Sequence, residues 1–324
     1  MGYIEWLRSR VGQRKILLTF ASLIVRDEAG RVLLQRRNDF DAWGLPGGVL
    51  EIGESILACA RRELVEESGL VADELGLVGL YSEPIYDTRY PNGDRAQQYT
   101  LCFQTKVAGG RLHADGVESR ALAFFETDSL PLPEILPWYR AMLNDALIQD
   151  AAGSREPAFG QPVIDILPLP QIAFMRRFVG DAAFIAAGAI AVIVNQDFSV
   201  LMVQHKPGGK WSLPGSYLHI GENAAHAAQR AALKETGLQV SVQRILGIHS
   251  PDAPWLYPGI VALQPIITLF LCRKSDNDAP PDSQPPFQTA WVPRDRVSTL
   301  EVNPSQVGLH QAVADHLHGG YFIL

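Results

Sequence analysis

The chain repeats itself once. Sliding its 324 residues against themselves gives one register, an offset of 168, in which residues 4–70 overlie 172–238 with 20 identities in 67, against roughly one in fifteen expected from ordinary composition. Trp43-Gly-Leu-Pro-Gly47 lies over Trp211-Ser-Leu-Pro-Gly215, and Ile52-Gly-Glu54 over Ile220-Gly-Glu222. This period far exceeds the roughly 20–50 residues of stacked repeats, so each copy is expected to be a whole domain. The expected boundaries are a first domain at 1–149, a Pro/Gly-rich linker at 150–170 (Gly153, Pro157, Gly160, Pro162, Pro168, Pro170), and a second domain at 171–324. A further Asp/Pro-rich stretch, Ser275–Pro286, reads as a surface loop of the second copy.

Composition excludes several classes. A chain that is 47% hydrophobic with net charge −7 is not disordered. Runs such as Ile16–Val25 and Phe184–Val194 are shorter than the roughly 20 residues a membrane helix needs, and no secretory leader pattern opens the sequence. Cys59, Cys102 and Cys272 are scattered and lack CxxC spacing, which fits reduced thiols in the cytoplasm. The acidity is confined to the first half: residues 1–165 carry 17 Lys/Arg against 24 Asp/Glu, whereas 166–324 carry 11 of each. Such a surface argues against nucleic acid as a partner. It leaves room for a phosphorylated small molecule wherever metal ions turn carboxylates into a phosphate site.

Within copy one, Leu7–Val11 sits in a short helix. Leu17–Arg26 and Arg31–Arg37 form a hairpin about the turn Asp27-Glu-Ala-Gly30, and Asp39–Gly53 reads as a loop. Ile56, Ala60 and Leu64 make one stripe of a helix that Gly69 ends. Strands follow at Leu77–Tyr81, Tyr99–Val107 and Ala121–Glu126, then a helix at Pro137–Ile148. Strands on either side of a central helix, with a second helix behind, predict a mixed sheet between helices: an α/β/α sandwich, built twice.

The informative helix is 54–68. Glu63, Glu66 and Glu67 stand at i, i+3 and i+4, so three carboxylates crowd together where like charges repel and where the helix dipole favours cations. A solvated acidic face is the ordinary explanation. The preceding Gly47-Gly48 and the fixed Glu54 and Arg62 favour another, a divalent cation that clamps a diphosphate while one glutamate serves as base to the attacking water.

Gly48-x5-Glu54-x7-Arg62-Glu63-Leu64-Val65-Glu66-Glu67-Ser68-Gly69-Leu70 fits the Nudix box, GX5EX7REUXEEXGU, without a mismatch. Copy one, over about residues 1–145, therefore resembles a Nudix hydrolase, and the chain as a whole resembles two tandem Nudix-like α/β/α sandwich domains with mixed sheets. The resemblance implies hydrolysis of a nucleoside diphosphate linked to another moiety, with Mg2+ as cofactor and Mn2+ as a substitute. It implies Glu63, Glu66 and Glu67 as metal-binding and catalytic carboxylates, the Gly47 carbonyl as a further ligand, and Arg62 as their orienting partner, paired with Glu54. It also implies an acid on the loop before a late strand, for which Glu118 is the candidate. Gly48, Glu54 and Gly69 complete the box as structural positions. Substrate contacts are expected from Arg36, Arg37, Trp43 and Tyr90, although Tyr90-Pro-Asn-Gly-Asp94 is also strong turn chemistry and Trp43 recurs as Trp211, which suggests packing.

In copy two, Gly48 becomes Ser216, Glu63 becomes Ala231 and Glu66 becomes Lys234, leaving Glu222, Arg230 and Glu235. An ammonium beside the one surviving ligand predicts loss of the metal and of activity. Seven of eight histidines lie in this copy, but His219/His226 and His316/His318 lack dependable ligand spacing. Because many Nudix-like enzymes are homodimers, the dead copy is expected to stand in for a second subunit in a monomer with an internal pseudo-dimer. Two rival readings use the same fold: a ligand-sensing regulator without turnover, which lacks a basic DNA-reading element here, and an isomerase.

Overall fold

A long strand at the start of each copy organises everything after it. A computed structural model of the chain describes residues 2–114, 116, 118–257, 260–275, 287–306 and 308–324, so 276–286 of the Asp/Pro-rich stretch lie outside the described residues. The chain divides into two compact units, Met1–Ala158 with Met175–Gly180, and Phe159–Phe174 with Asp181–Leu324.

The first unit runs α1 (Tyr3–Val11), β1 (Ile16–Arg26), β2 (Val32–Arg37), β3 (Trp43–Gly44), β4 (Gly47–Val49), α2 (Ile56–Ser68), β5 (Leu70–Ala72), β6 (Gly76–Tyr81), β7 (Thr88–Arg89), β8 (Arg95–Gly110), β9 (Ser119–Phe125), α3 (Pro137–Ala152) and β10 (Ala158–Phe159). The sheet order is β10-β6-β8-β1-β2-β3, with β4 on β1, β5 and β7 on β8, and β9 on β2. β1 pairs in parallel with β8 from Ile16↔Ala96 to Arg26↔Lys106, while its other partners are antiparallel. Strand β1 is buried along nearly its whole length, as a strand covered on both faces must be. The hairpin turn closes through Asp27, whose Oδ1 accepts from the Ala29 and Arg31 amides.

After β10 the chain repeats this plan: β11 (Ile164–Pro170), α4 (Gln171–Val179), β12 (Phe184–Val194), β13 (Val200–Gln204), β14 (Trp211–Ser212), β15 (Gly215–Tyr217), β16 (His219–Glu222), α5 (Ala224–Thr236), β17 (Val240–His249), β18 (Trp255–Tyr257), β19 (Ile260–Lys274), β20 (Gln288–Val292), α6 (Arg294–Val297), α7 (Leu309–His316) and β21 (Phe322–Ile323). Parallel β12–β19 takes the place of β1–β8, and β15 lies on β12 as β4 lies on β1. The mixed sheets with flanking helices are those expected from the sequence.

Two local expectations need correcting. Asp39–Gly53 is not all loop, because β3 and β4 form within it, β4 being held on β1 by Ser22↔Gly47. Residues 150–170, expected as a linker, carry regular structure: α3 runs on to Ala152 before Gly153 ends it in the left-handed conformation, and β10 and β11 follow. β3, β4 and β10, of two or three residues, carry too little alternation to be read from sequence, and Pro168 and Pro170 argue against reading β11 as a strand. Trp43 and Trp211 pack against the apolar cores of their copies, and their backbones bridge to Ile135 and Val302 respectively.

Candidate active site

Helix α2 starts where Ser55 caps it, the hydroxyl accepting from the Ala58 amide at 3.3 Å, and stops at Gly69 in the left-handed conformation (φ 71°). Its buried stripe is Ile56, Cys59, Ala60, Glu63, Leu64, Glu67 and Ser68. Two acids therefore continue the apolar stripe. Glu63 is 8% exposed and Glu67 2%, while the Glu66 side chain is 58% exposed. The three carboxylates differ in burial more than the spacing alone suggested: Glu63 and Glu67 are buried and Glu66 exposed, although one Arg62 nitrogen bonds both Glu63 and Glu66. Burying an ionised carboxylate costs on the order of several kcal/mol unless a partner offsets it.

Part of that offset is visible. Arg62 reaches back to Glu54 with two hydrogen bonds (3.0 and 2.7 Å), and its Nη1 donates to Glu63 Oε1 at 2.7 Å and to Glu66 Oε2 at 3.0 Å. Hydrogen bonding to Glu54 raises the Arg62 pKa. Glu67 accepts from the Gly47 amide at 2.7 Å and from Gln35 Nε2 at 3.1 Å. These partners do not suffice: burial pushes the Glu63 carboxyl up to about 7 and the Glu67 carboxyl up to about 8. The glycine pair is required by close approach. A Cβ at Gly47, whose φ is +143°, would stand 2.1 Å from the Ala21 carbonyl oxygen, and one at Gly48 would stand 2.4–2.6 Å from the Glu63 carboxylate.

Several of these residues, but not Glu54, Glu67 or Gln35, line a cavity of about 310 Å³. Gly47, Gly48, Arg62, Glu63, Glu66 and Glu118 belong to its polar lining and Phe40, Tyr90, Trp138 and Tyr139 to its aromatic lining, with Arg37 and Gln98 also on it. Phe40 lies between Tyr90 (5.6 Å between centroids) and Trp138 (5.8 Å, edge-on). Pro137 opens α3 and so places Trp138 and Tyr139 in its first turn. Of the expected substrate contacts, Arg37 and Tyr90 line the cavity; Arg36 and Trp43 do not. Successive residues of β2 face opposite sides, and Arg36 is bound to Asp41 and Glu134 while Trp43 packs edge-on against Phe125. Tyr90 also begins a tight turn, its amide bonded to the Asp94 carbonyl. Phe40, Gln98, Trp138 and Tyr139 escaped the sequence reading, since nothing but the helix-starting proline beside two aromatics distinguished them.

Does a divalent cation suit this site? The donors are all hard oxygens, from four carboxylates and the Gly47 carbonyl, which is the chemistry Mg2+ selects. Two of those carboxyls are buried beyond what their hydrogen bonds offset, and a Cβ at residue 48 would fill the space beside Glu63. Among the described residues no three ligating side chains already converge at metal spacing; Arg62 holds Glu63 and Glu66 instead. The donor set fits a cation, with Arg62 as its competitor for the two carboxylates.

Copy two supplies the contrast. Asn223 caps α5, and Ala231 sits on its buried stripe where Glu63 sits on that of α2. Arg230 still grips Glu222 (3.0 and 2.5 Å), but its Nη1 now donates to the Ser216 hydroxyl. The other acid left from the box, Glu235, meets His205 Nε2 at 3.2 Å. Burial works to raise the Glu222 carboxyl, yet Arg230, the His219 amide and His226 hold it below its usual range. A carboxyl lowered in the folded state stabilises above its unfolded pKa and ceases to do so as pH falls. Melting curves are therefore expected to show a loss of stability from about pH 5 downward that is reduced in Glu222→Gln, and an unchanged acid limb would contradict this.

The NUDIX domain signature matches the chain twice, at residues 17–146 and 185–312. The chain belongs to the NUDIX family. Among curated relatives, a MutT-like protein of Streptomyces ambofaciens is 33% identical over 136 residues (42% of this chain, 79% of that protein). An ADP-ribose pyrophosphatase of Methanocaldococcus jannaschii is 32% identical over 110 residues (34% of this chain, 61% of that protein). A solved NUDIX hydrolase from Nitrosomonas europaea matches with 23% identity and a TM-score of 0.38, covering 45% of this chain and 78% of that one. No helix among the described residues is long and apolar enough to cross a membrane.

Proposed function

We propose that copy one hydrolyses the phosphoanhydride of a nucleoside diphosphate linked to a second group, dependent on Mg2+ with Mn2+ as a substitute. The observation that carries this reading is the pair of buried acids: Glu63, on the lining of a cavity shared with aromatic side chains, and Glu67, one helical turn on and bonded to the Gly47 amide of that lining. Glu63, Glu66, Glu67, Glu118 and the Gly47 carbonyl would hold the cation. When bound, such a cation neutralises diphosphate charge and acidifies water. Arg62 keeps Glu63 and Glu66 oriented from its anchor on Glu54. One of the carboxylates accepts the proton of the attacking water as the phosphoanhydride P–O bond breaks and the leaving phosphate departs.

Phe40, Tyr90 and Trp138 offer π-faces to a base, and Arg37, paired with Asp39 at 2.6 Å, a cation on the same lining. Trp138→Ala is expected to raise KM about tenfold, the worth of roughly 1–3 kcal/mol of base stacking, and to leave kcat within a few-fold; an unchanged KM would remove Trp138 from the substrate site. Copy two, with Ala231 and Lys234 in place of two box acids, is inactive and stands in for a partner subunit, so that the chain works as a monomer. Three free, buried cysteines suit a reducing cytoplasm.

The deciding experiment is a panel of nucleoside triphosphates, nucleotide sugars, ADP-ribose and dinucleoside polyphosphates, assayed with Mg2+ and with product identification. Turnover that disappears with EDTA supports the reading. Binding without turnover would favour the regulatory module, and rearranged rather than hydrolysed product the isomerase.

A further inference from the structure

The acid Glu67 is held by a residue that lies outside the box. Gln35, on β2, is 1% exposed. Its Nε2 donates to Glu67 Oε1 at 3.1 Å and to the Leu45 carbonyl at 3.1 Å, while its Oε1 accepts from the Ser119 hydroxyl. Leu45 fixes which way the amide points: a carbonyl can only accept, so the NH2 end must face it, and the same NH2 faces Glu67. With the Gly47 amide on the other oxygen, each Glu67 oxygen accepts one hydrogen bond and retains a lone pair. Ser119, itself fully buried, follows Glu118, whose carbonyl accepts from the Asn38 amide at 2.9 Å. One path, Ser119 to Gln35 to Glu67, thus joins the loop bearing Glu118 to the helix bearing the other acids.

Copy two provides a natural control. Gln35 pairs with Gly44 across β2–β3, and at the same register Val203 pairs with Ser212 across β13–β14. Where Glu63 and Glu66 have been replaced, the amide has been replaced too, by a buried valine.

We propose that Gln35 is a positioning residue for the reaction, acting through Glu67 by presenting its carboxylate to the cation and by tying the Glu118 loop to the same group. This rests on the proposed function of copy one. Groups that hydrogen-bond metal-binding side chains typically change metal affinity or activity by about 10- to 100-fold when removed.

The test compares Gln35→Met, which keeps the side-chain length and loses both polar ends, with Ser119→Ala and Glu67→Gln in the full chain. Mn2+ affinity is read by calorimetry and turnover by steady-state kinetics. Gln35→Met is expected to weaken Mn2+ binding or lower kcat about 10- to 100-fold, with KM for nucleotide within about twofold, and to have no further effect on Mn2+ affinity in the Glu67→Gln background. Ser119→Ala is expected to lower kcat several-fold, and it decides the matter if Gln35→Met does not fold. Wild-type kcat and Mn2+ affinity in the folded variant, or an equal loss with and without Glu67, would overturn the proposal. Glu67→Gln that itself behaves as wild type would instead bring down the proposed function.

Discussion

Glu67→Gln is expected to lower kcat by about 10²–10⁴-fold, the range for losing a positioned acid–base group, with the protein still folded. The substitution is nearly isosteric, but both oxygens of Glu67 accept from donors, the Gly47 amide and Gln35 Nε2. Whichever way the new amide turns, its NH2 faces one of those donors, a mismatch of about 1–3 kcal/mol. Because burial already raises the Glu67 carboxyl to about 8, the substitution removes little charge at neutral pH, and the melting temperature should fall by only a few degrees. Full activity in this variant would show that the buried carboxylate serves the fold alone.

Gly48→Ser carries the second large effect. A Cβ at residue 48 meets the Glu63 carboxylate at 2.4–2.6 Å, so Glu63 has to leave its place. Activity should fall at least about 10²-fold, and stability by about 1–3 kcal/mol for the overfilled site. Copy two has already made this change together with a second one, Ser216 opposite Ala231, and there Arg230 donates to the serine hydroxyl at 3.0 Å, where Arg62 donates to Glu63 at 2.7 Å. The double variant Gly48→Ser/Glu63→Ala should therefore regain stability while staying inactive. Urea melts of the four proteins are expected to give a coupling of about 1–3 kcal/mol; simple additivity would mean that serine and carboxylate do not compete for the space.

What could be read from the sequence was whatever is periodic or spaced. The duplication, the hairpin, helix α2 and its glycine stop follow from patterns that persist over many residues. The acids stood out because their positions repel one another in any helix. That Glu63 and Glu67 turn inward while Glu66 turns out was implicit in the stripe Ile56, Ala60 and Leu64, which those two positions extend. Gln35 and Phe40 could not be found this way. A glutamine in a strand and a phenylalanine in a loop become part of a site only once β9 brings Ser119 beside one, and α3 brings Trp138 against the other. Arg36 and Arg37 show the limit at its sharpest: identical neighbours on one strand, separated only by the side of the sheet each faces.

The parallel ladder between β1 and β8 has a consequence for how this chain emerges from the ribosome. Ile16 cannot meet Ala96 until the intervening segment has been synthesised, and in copy two Phe184 waits likewise for Leu263. During translation each unit therefore holds a long apolar strand without its mate, and contacts so distant along the chain form slowly. By then a competing strand of the same ancestry is on its way, and mispairing between related domains is a common failure of tandem proteins. The early strands themselves have diverged, β1 carrying Thr19, Ser22 and Arg26 where Phe184–Val194 is wholly apolar, and such divergence lowers the chance that either takes its sibling's late partner.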